Sequence, residues 1–168
     1  AGGSATTAHN AAFDKTAITP GSMIREIKRI HLRKIATVGK GQFGEVWKAY
    51  LDESAAGGPP GYLVAAKTVA SKNASSNASQ ELHDEANVMA GLASHPNVLA
   101  VVGVITAEYP LVLIMSYCEH GSLLSYLEVN AETGIPITIQ VKLQLGIDVA
   151  RGMEHLVSRK FIHRDLAA

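Results

Sequence analysis

The sequence has little of what a metal-stabilised, disulfide-bonded or membrane-embedded protein requires. One cysteine in 168 residues excludes an internal disulfide and a zinc site built on several cysteines. The seven histidines include no H-x-x-x-H pair, and we predict no metal ligand set in this chain. No apolar run reaches the roughly 20 residues that span a bilayer, and no basic-then-apolar signal peptide begins the chain. A soluble protein in a reducing, cytoplasmic setting is the expectation.

Net charge is absent as well. The 15 basic and 15 acidic residues cancel to a formal charge of zero. A neutral chain offers no electrostatic reason to propose nucleic acid or an anionic membrane as a partner. The length suits one ordinary domain, or one small lobe with part of a second.

The order of the predicted elements favours a mixed fold. Residues 1–22 are rich in Ala, Gly, Ser and Thr without apolar periodicity, which predicts a flexible leader. Alternating or continuous apolar runs predict five strands, and apolar residues at spacings of three and four predict helices. The strands begin at Arg33 and continue over 45–51, 62–69, 98–106 and 111–117, and the helices cover 80–93, 123–129 and 138–158. One helix thus lies among the strands and two follow them.

A glycine cluster follows the first predicted strand. Gly39, Gly41 and Gly44 fit G-x-G-x-x-G-x-V, with Val46 as the last position. Glycines allow backbone N–H groups to approach phosphate oxygens without side-chain obstruction. A dinucleotide-binding fold would need a helix directly after the third glycine, whereas the β-branched and aromatic run EVWKAYL predicts a strand. Taken alone, the motif still allows an ordinary glycine-rich hairpin.

A lysine interrupts the apolar strand predicted at 62–69. Lys67 follows Val64, Ala65 and Ala66. Burying an ammonium group is costly unless anionic partners surround it, and nucleotide phosphates would serve as such partners. The alternative is an edge strand with the lysine head in water, because exposed lysines are common.

The end of the sequence completes a resemblance. After an apolar pair come His163, Arg164 and Asp165, and with the glycine loop and the V-A-x-K strand in this order the chain resembles the protein kinase family. The resemblance implies an α+β fold, with a five-stranded antiparallel N-lobe, one main helix, and the beginning of a helical C-lobe. We expect a leader at 1–22, an N-lobe at 23–117, and the hinge with the incomplete C-lobe at 118–168.

The resemblance also implies catalytic roles. Asp165 would orient the substrate hydroxyl, and Arg164 would meet a phosphorylated activation loop. Lys67 would hold ATP phosphates while pairing with Glu85 of the helix. Glu81, one turn earlier, is the fallback partner. Considered alone, Glu85 is more typical of a solvated helix residue.

Residues 113–123 resemble the segment that links the two kinase lobes. Met115 would then close the back of the adenine pocket, and the backbone of Ser116 and Cys118 would hydrogen-bond the adenine edge. Plain core packing is the alternative for Met115 and Cys118. The implied nucleotide-binding set is Val38, Gly39, Gly41, Phe43, Gly44, Val46, Ala65, Lys67, Met115, Ser116, Cys118 and Gly121.

The last residues, Leu166, Ala167 and Ala168, resemble the HRDLAARN loop of tyrosine kinases, especially receptor-type ones. The resemblance implies ATP and Mg2+ as cofactors and protein tyrosines as substrates of the parent protein. The Mg2+ ligands would lie beyond the end of the chain, so we expect the 168-residue piece alone to be inactive. The expected location is cytoplasmic, with the intracellular part of a membrane receptor left open. The alternative is a pseudokinase, a nucleotide-binding scaffold without phosphotransfer.

Overall fold

The computed structural model describes residues 24–41, 44–68, 78–92, 95–163 and 166. They fall into two compact units. The first holds the described residues up to 92 and Leu99–Tyr117, and the second holds His95–Val98 and the described residues from Cys118 onward. The predicted leader at 1–22 lies outside the described residues. Within the described ranges, no helix has the length and apolar character needed to cross a membrane.

The first unit is built on a five-stranded antiparallel sheet. The bounds of its elements are β1 Leu32–Gly41, β2 Gly44–Leu51, β3 Tyr62–Thr68, α1 Ala78–Leu92, β4 Val101–Ile105 and β5 Val112–Ser116. The spatial order of the strands is β1-β2-β3-β5-β4, so the last two strands along the chain exchange places. One long helix, α1, interrupts the strand series between β3 and β4. This confirms the predicted five-stranded lobe with a single main helix.

Alternation along the strands separates two cores. Successive side chains of a strand point to opposite faces, so one strand can feed two clusters. Ile114 of β5 is fully buried in a cluster with Val64 and Ala66 of β3. Its neighbours Leu113 and Met115 pack on the other face against Leu82, Ala86 and other apolar residues. The helix α1 therefore covers the same sheet face that carries Met115.

The residues before β1 close one edge of the sheet. The sequence predicted no strand before Arg33. Instead, Glu26 forms a parallel bridge with Val104 of β4, and Ile27 donates its N–H to the Val104 carbonyl at 2.7 Å. Ile27 is 1% exposed, and Gly103 leaves room for it, since a Cβ there would lie 2.6 Å from the Ile27 Cδ1 atom. This segment covers an edge strand whose polar backbone would otherwise stay open.

The second unit contains two helices with side-chain caps. Helix α2 spans Leu123–Glu132, three residues longer than predicted, and α3 spans Ile139–Ser158. Ser122 accepts a hydrogen bond from the Ser125 N–H at 3.0 Å, which satisfies one of the free donors at the start of α2. Thr138 caps α3 in the same way.

Candidate functional site

The glycine cluster lies at the end of β1 and the start of β2, which pair as a β-hairpin. Gly41 of β1 pairs with Gly44 of β2, and β2 continues as a strand to Leu51. A dinucleotide-binding fingerprint would require a helix after Gly44, and the strand excludes that alternative. Phe43, one of the predicted nucleotide-binding residues, lies outside the described residues. We call the described ends of this hairpin, residues 39–41 and Gly44, the flap.

Strand register brings four of the predicted site residues to one face of the sheet. Val46 is directly opposite Lys67, and Ala65 is directly opposite Met115. Residues paired in this way across antiparallel strands share a face. Lys67 also lies opposite Leu113, which packs toward α1. The face next to the flap therefore presents two small or branched apolar side chains, a methionine and the ammonium group of Lys67, with Lys48 opposite Ala65 and farther from the flap.

Val38 is placed less regularly. The register of β1 against β2 shifts between Thr37 and Gly39, and Val38 lies at that irregularity. Its side chain is exposed. A bulge of this kind bends the strand and changes the aim of the side chain it carries. The predicted contact of Val38 with an adenine ring stays a prediction.

Lys67 and Glu85 are not joined by an ion pair. Both side chains are half-buried, and neither has an oppositely charged group within 4.0 Å in the part of the chain that the structure describes. The fallback partner Glu81 is exposed. The pairing of Lys67 with Glu85 stays a prediction. A half-buried lysine without a carboxylate neighbour suits an anion supplied by a ligand, such as a nucleotide phosphate.

Hydrogen bonds at the end of β5 restrict how the linking segment could contact adenine. The Ser116 N–H donates to the Ala100 carbonyl at 2.9 Å, so the Ser116 carbonyl is the group we expect to be offered to a ligand. By contrast, the Cys118 carbonyl accepts the Gly121 N–H at 3.2 Å. The Cys118 N–H is therefore the group of this residue that we expect to contact a ligand. Gly121 has a φ of 69°, a conformation that favours glycine.

Helix α3 ends a few residues before the predicted catalytic aspartate in the sequence. Lys160 adopts a left-handed φ of 59°, the Lys160 N–H donates to the Val157 carbonyl at 2.8 Å, and the Phe161 N–H donates to the Leu156 carbonyl at 2.9 Å. These two bonds form a Schellman motif, which ends a helix and turns the chain. This motif was not predicted, because lysine occupies the position at which glycine is usual. Arg164 and Asp165 lie outside the described residues.

A charged cluster at the base of the flap was also missed. The Glu45 carboxylate receives the Lys40 ammonium at 2.7 Å, the Lys34 ammonium at 3.0 Å and the Trp47 indole N–H at 2.7 Å. The Lys34 ammonium also lies 4.4 Å from the centroid of the Trp47 ring. Hydrogen bonds from Lys40, Trp47 and Lys34, in that order, lower the pKa of Glu45 to about 2. The available signal was the hairpin register, which places Lys40 opposite Glu45.

The lowered pKa of Glu45 predicts an acid-side dependence of stability. With the pKa lowered from 4.5 to about 2 on folding, the carboxylate stabilises the folded state fully above pH 4.5 and loses this effect as pH falls through about 2. We expect the free energy of unfolding of the unsubstituted protein to fall more steeply than that of Glu45→Gln over this range. Urea unfolding at a series of pH values measures the difference.

The control for the pH experiment is Lys40→Met. Lys40 is the largest cause of the lowered pKa, so its removal should bring the pH profile closer to that of Glu45→Gln. Parallel profiles of Glu45→Gln and the unsubstituted protein from pH 4.5 down to 2 would contradict the prediction.

Comparisons with known proteins decide the family. A family model described as "Protein tyrosine and serine/threonine kinase" matches residues 32–168, from the start of β1 to the last residue. The chain belongs to this family of protein kinases. The match covers every strand and helix described above, and it confirms the resemblance that the motifs indicated.

Two human relatives have names of tyrosine kinases. Tyrosine-protein kinase FRK of Homo sapiens is 35% identical over 143 residues, which cover 85% of this chain and 26% of that protein. Cytoplasmic tyrosine-protein kinase BMX of Homo sapiens is 34% identical over 155 residues, which cover 90% of this chain and 20% of that protein. The kinase chain thus spans about a quarter or less of the length of these relatives. A receptor-type origin stays a prediction.

Proposed function

We propose that the protein containing this chain is an ATP-dependent tyrosine kinase, in which the flap and Lys67 hold the nucleotide. The observation that carries the proposal is the position of Lys67. The half-buried Lys67 side chain lies on the sheet face covered by α1, opposite Val46 at the flap base, with no carboxylate within 4.0 Å in the described ranges. Membership of the kinase family and the similarity to two tyrosine kinases support the same reading.

In this proposal each group of the chain has one task. Backbone N–H groups of the flap and the Lys67 ammonium bind the phosphates and offset charge that develops during transfer. Val46 and Ala65 contact the adenine ring, and Met115 closes the pocket behind it. Because Gly39 and Gly41 have no side chain, the phosphates can approach the backbone.

The proposed chemical step takes place at the substrate hydroxyl. Asp165 accepts its hydrogen bond and then its proton, while the oxygen attacks the terminal phosphorus of ATP and ADP leaves. Magnesium, when bound, neutralises charge on the phosphates. The described residues contain no group of three or more His, Cys, Asp or Glu side chains that could hold it.

Substrate choice is proposed to depend on the residues after Asp165. Leu166, Ala167 and Ala168 bring no charged side chain to this loop. Small apolar residues leave room for a phenol ring, whereas a lysine at this place would serve the shorter serine or threonine side chain. We therefore expect tyrosine to be preferred.

The test is a phosphotransfer assay on the full-length protein. We expect labelled phosphate from ATP to enter a tyrosine-containing copolymer and not a matched serine and threonine copolymer. Asp165→Asn keeps the size of the side chain and removes the proton acceptor, so it should lower kcat by about 10²- to 10⁴-fold. Equal labelling of both copolymers would contradict the tyrosine preference.

The absence of a Lys67–Glu85 ion pair also makes a second function worth testing. A pseudokinase would bind ATP without transferring its phosphate. Calorimetric titration with ATP, run on the same preparation as the transfer assay, separates the two functions. Binding without any transfer would replace the kinase proposal with this alternative.

A further inference from the structure

Thr68 is the last residue of β3 and directly follows Lys67. Its side chain is 6% exposed, the one polar residue among the buried side chains of the described part of the chain. The hydroxyl oxygen accepts the Glu45 N–H at 2.8 Å and donates to the Glu45 carbonyl at 3.1 Å. One side chain thus binds both backbone groups of the residue that begins the return from the flap.

This contact takes the place of the next residue pair in the hydrogen-bond ladder between β2 and β3. The register of β2 against β3 runs up to Val46 opposite Lys67, and the next pair in sequence would be Glu45 opposite Thr68. The backbone ladder stops there, and the threonine hydroxyl satisfies the donor and acceptor that would otherwise be unpaired. The connection between flap and strand at this point is therefore made by a side chain.

Gly44 shows how close the approach is. A Cβ built on Gly44 would overlap the Thr68 carbonyl oxygen and would lie 2.9 Å from the Thr68 hydroxyl oxygen. The third glycine of the motif thus lets the flap backbone rest against Thr68. The requirement for glycine here comes from the protein's own strand.

The side chain of Glu45 connects this residue to β1. Its carboxylate binds Lys40, which belongs to the incoming arm of the flap, and Lys34 further back on β1. Glu45 is therefore held through its backbone by β3 and through its carboxylate by β1. Any displacement of the flap base has to break one of these two sets of bonds.

We propose that Thr68 is a positioning residue for the nucleotide, because its hydroxyl sets the offset between the flap and the neighbouring Lys67. This inference rests on the proposed function, in which flap amides and the Lys67 ammonium bind the same phosphates. Two binding groups on different strands act together only when their separation is held near the productive value. Thr68 supplies that constraint from the residue adjacent to the lysine.

The test compares Thr68→Val with Thr68→Ser in the full-length protein. Valine keeps the shape and removes both hydrogen bonds, whereas serine keeps the hydroxyl. For Thr68→Val we expect the KM for ATP to rise about threefold to tenfold, the range for loss of one or two neutral hydrogen bonds, with kcat changed less than about twofold. Thr68→Ser should restore a KM within about twofold of the unsubstituted value.

The pattern of KM and kcat separates positioning from a structural role. A structural role alone would lower the melting temperature of both variants and leave the KM for ATP unchanged below the melting transition. An unchanged KM in Thr68→Val, or an equal rise in Thr68→Ser, would overturn the inference. If the unsubstituted protein neither binds ATP nor transfers phosphate, the proposed function has failed instead.

A measurement on the unsubstituted protein covers the case in which Thr68→Val does not fold. Hydrogen exchange should show the Glu45 amide protected to a degree similar to the ladder amides of β2. Free exchange at Glu45 beside protected neighbours would overturn the inference without any variant.

Discussion

Lys67→Met is expected to lower phosphoryl transfer by about 10²- to 10³-fold, the usual loss when a charge-stabilising donor is removed from an active site. Methionine matches the length of the lysine stem and lacks its charge. Because the described structure gives Lys67 no carboxylate within 4.0 Å, the substitution leaves no buried charge behind. We therefore expect the melting temperature to stay the same or to rise slightly while activity is lost.

The matched control is Lys48→Met. Lys48 lies opposite Ala65 on the adjacent strand, and its ammonium is 4.9 Å from the centroid of the Tyr117 ring. Lys48→Met removes the same charge from the same sheet as Lys67→Met. An effect of net charge alone would therefore appear in both variants. Initial rates with saturating ATP and a tyrosine copolymer provide the measurement. Full activity in Lys67→Met, or equal losses in both variants, would contradict the assigned role.

Gly44→Ala is expected to destabilise the fold by about 2–4 kcal/mol through overpacking and backbone strain. The φ of Gly44 is 124°, and the added Cβ would overlap the Thr68 carbonyl oxygen. The Thr68 carbonyl cannot move away easily, because Thr68 is buried at the end of a paired strand. Relief would require the flap base to move away from β3. The unfolding free energy of the complete kinase domain, from denaturant titration, measures this.

Gly57→Ala is the control for Gly44→Ala. Gly57 also has a positive φ, 81°, but a Cβ there meets no atom within 4 Å. It therefore carries the conformational cost of about 1–2 kcal/mol without the overlap. The excess loss in Gly44→Ala combines the close approach to Thr68 with the greater backbone strain of a non-glycine residue at a φ of 124°. Equal losses at the two glycines would show that the approach is not as tight as the structure has it.

The strand order along the chain and the main helix could be predicted because each depends on local pattern. Residues 62–69 form a short apolar run between turn-forming segments, and β3 is found at Tyr62–Thr68. Leu82 and Ala86 are spaced four apart and are both buried in α1. Ser122 is of a residue type favoured at helix N-caps and directly precedes the predicted helix, and its hydroxyl accepts the Ser125 N–H. Such signals are contained within a few residues of sequence.

The parallel contact of the entry segment with β4 could not be predicted in this way. Glu26 and Val104 are separated by 78 positions in the chain. Nothing in the sequence around either residue indicates the other as its partner. The same holds for Thr68 and Glu45, whose hydrogen bonds join residues 23 positions apart. A hydroxyl at the end of an apolar strand is compatible with many partners. Only the final register selects one of them.

The sequence by itself determined the family and the identities of the groups that could do its chemistry, because the motif G-x-G-x-x-G-x-V, the strand lysine and the HRD triplet each depend on residue type and local spacing. Tertiary structure alone decided which groups share a face and which are held together. It placed Val46, Ala65, Lys67 and Met115 on one side of the sheet through cross-strand pairing. It also joined the flap to β3 through a threonine side chain. Contacts of this kind depend on strand register, which is an outcome of the whole core rather than of any segment.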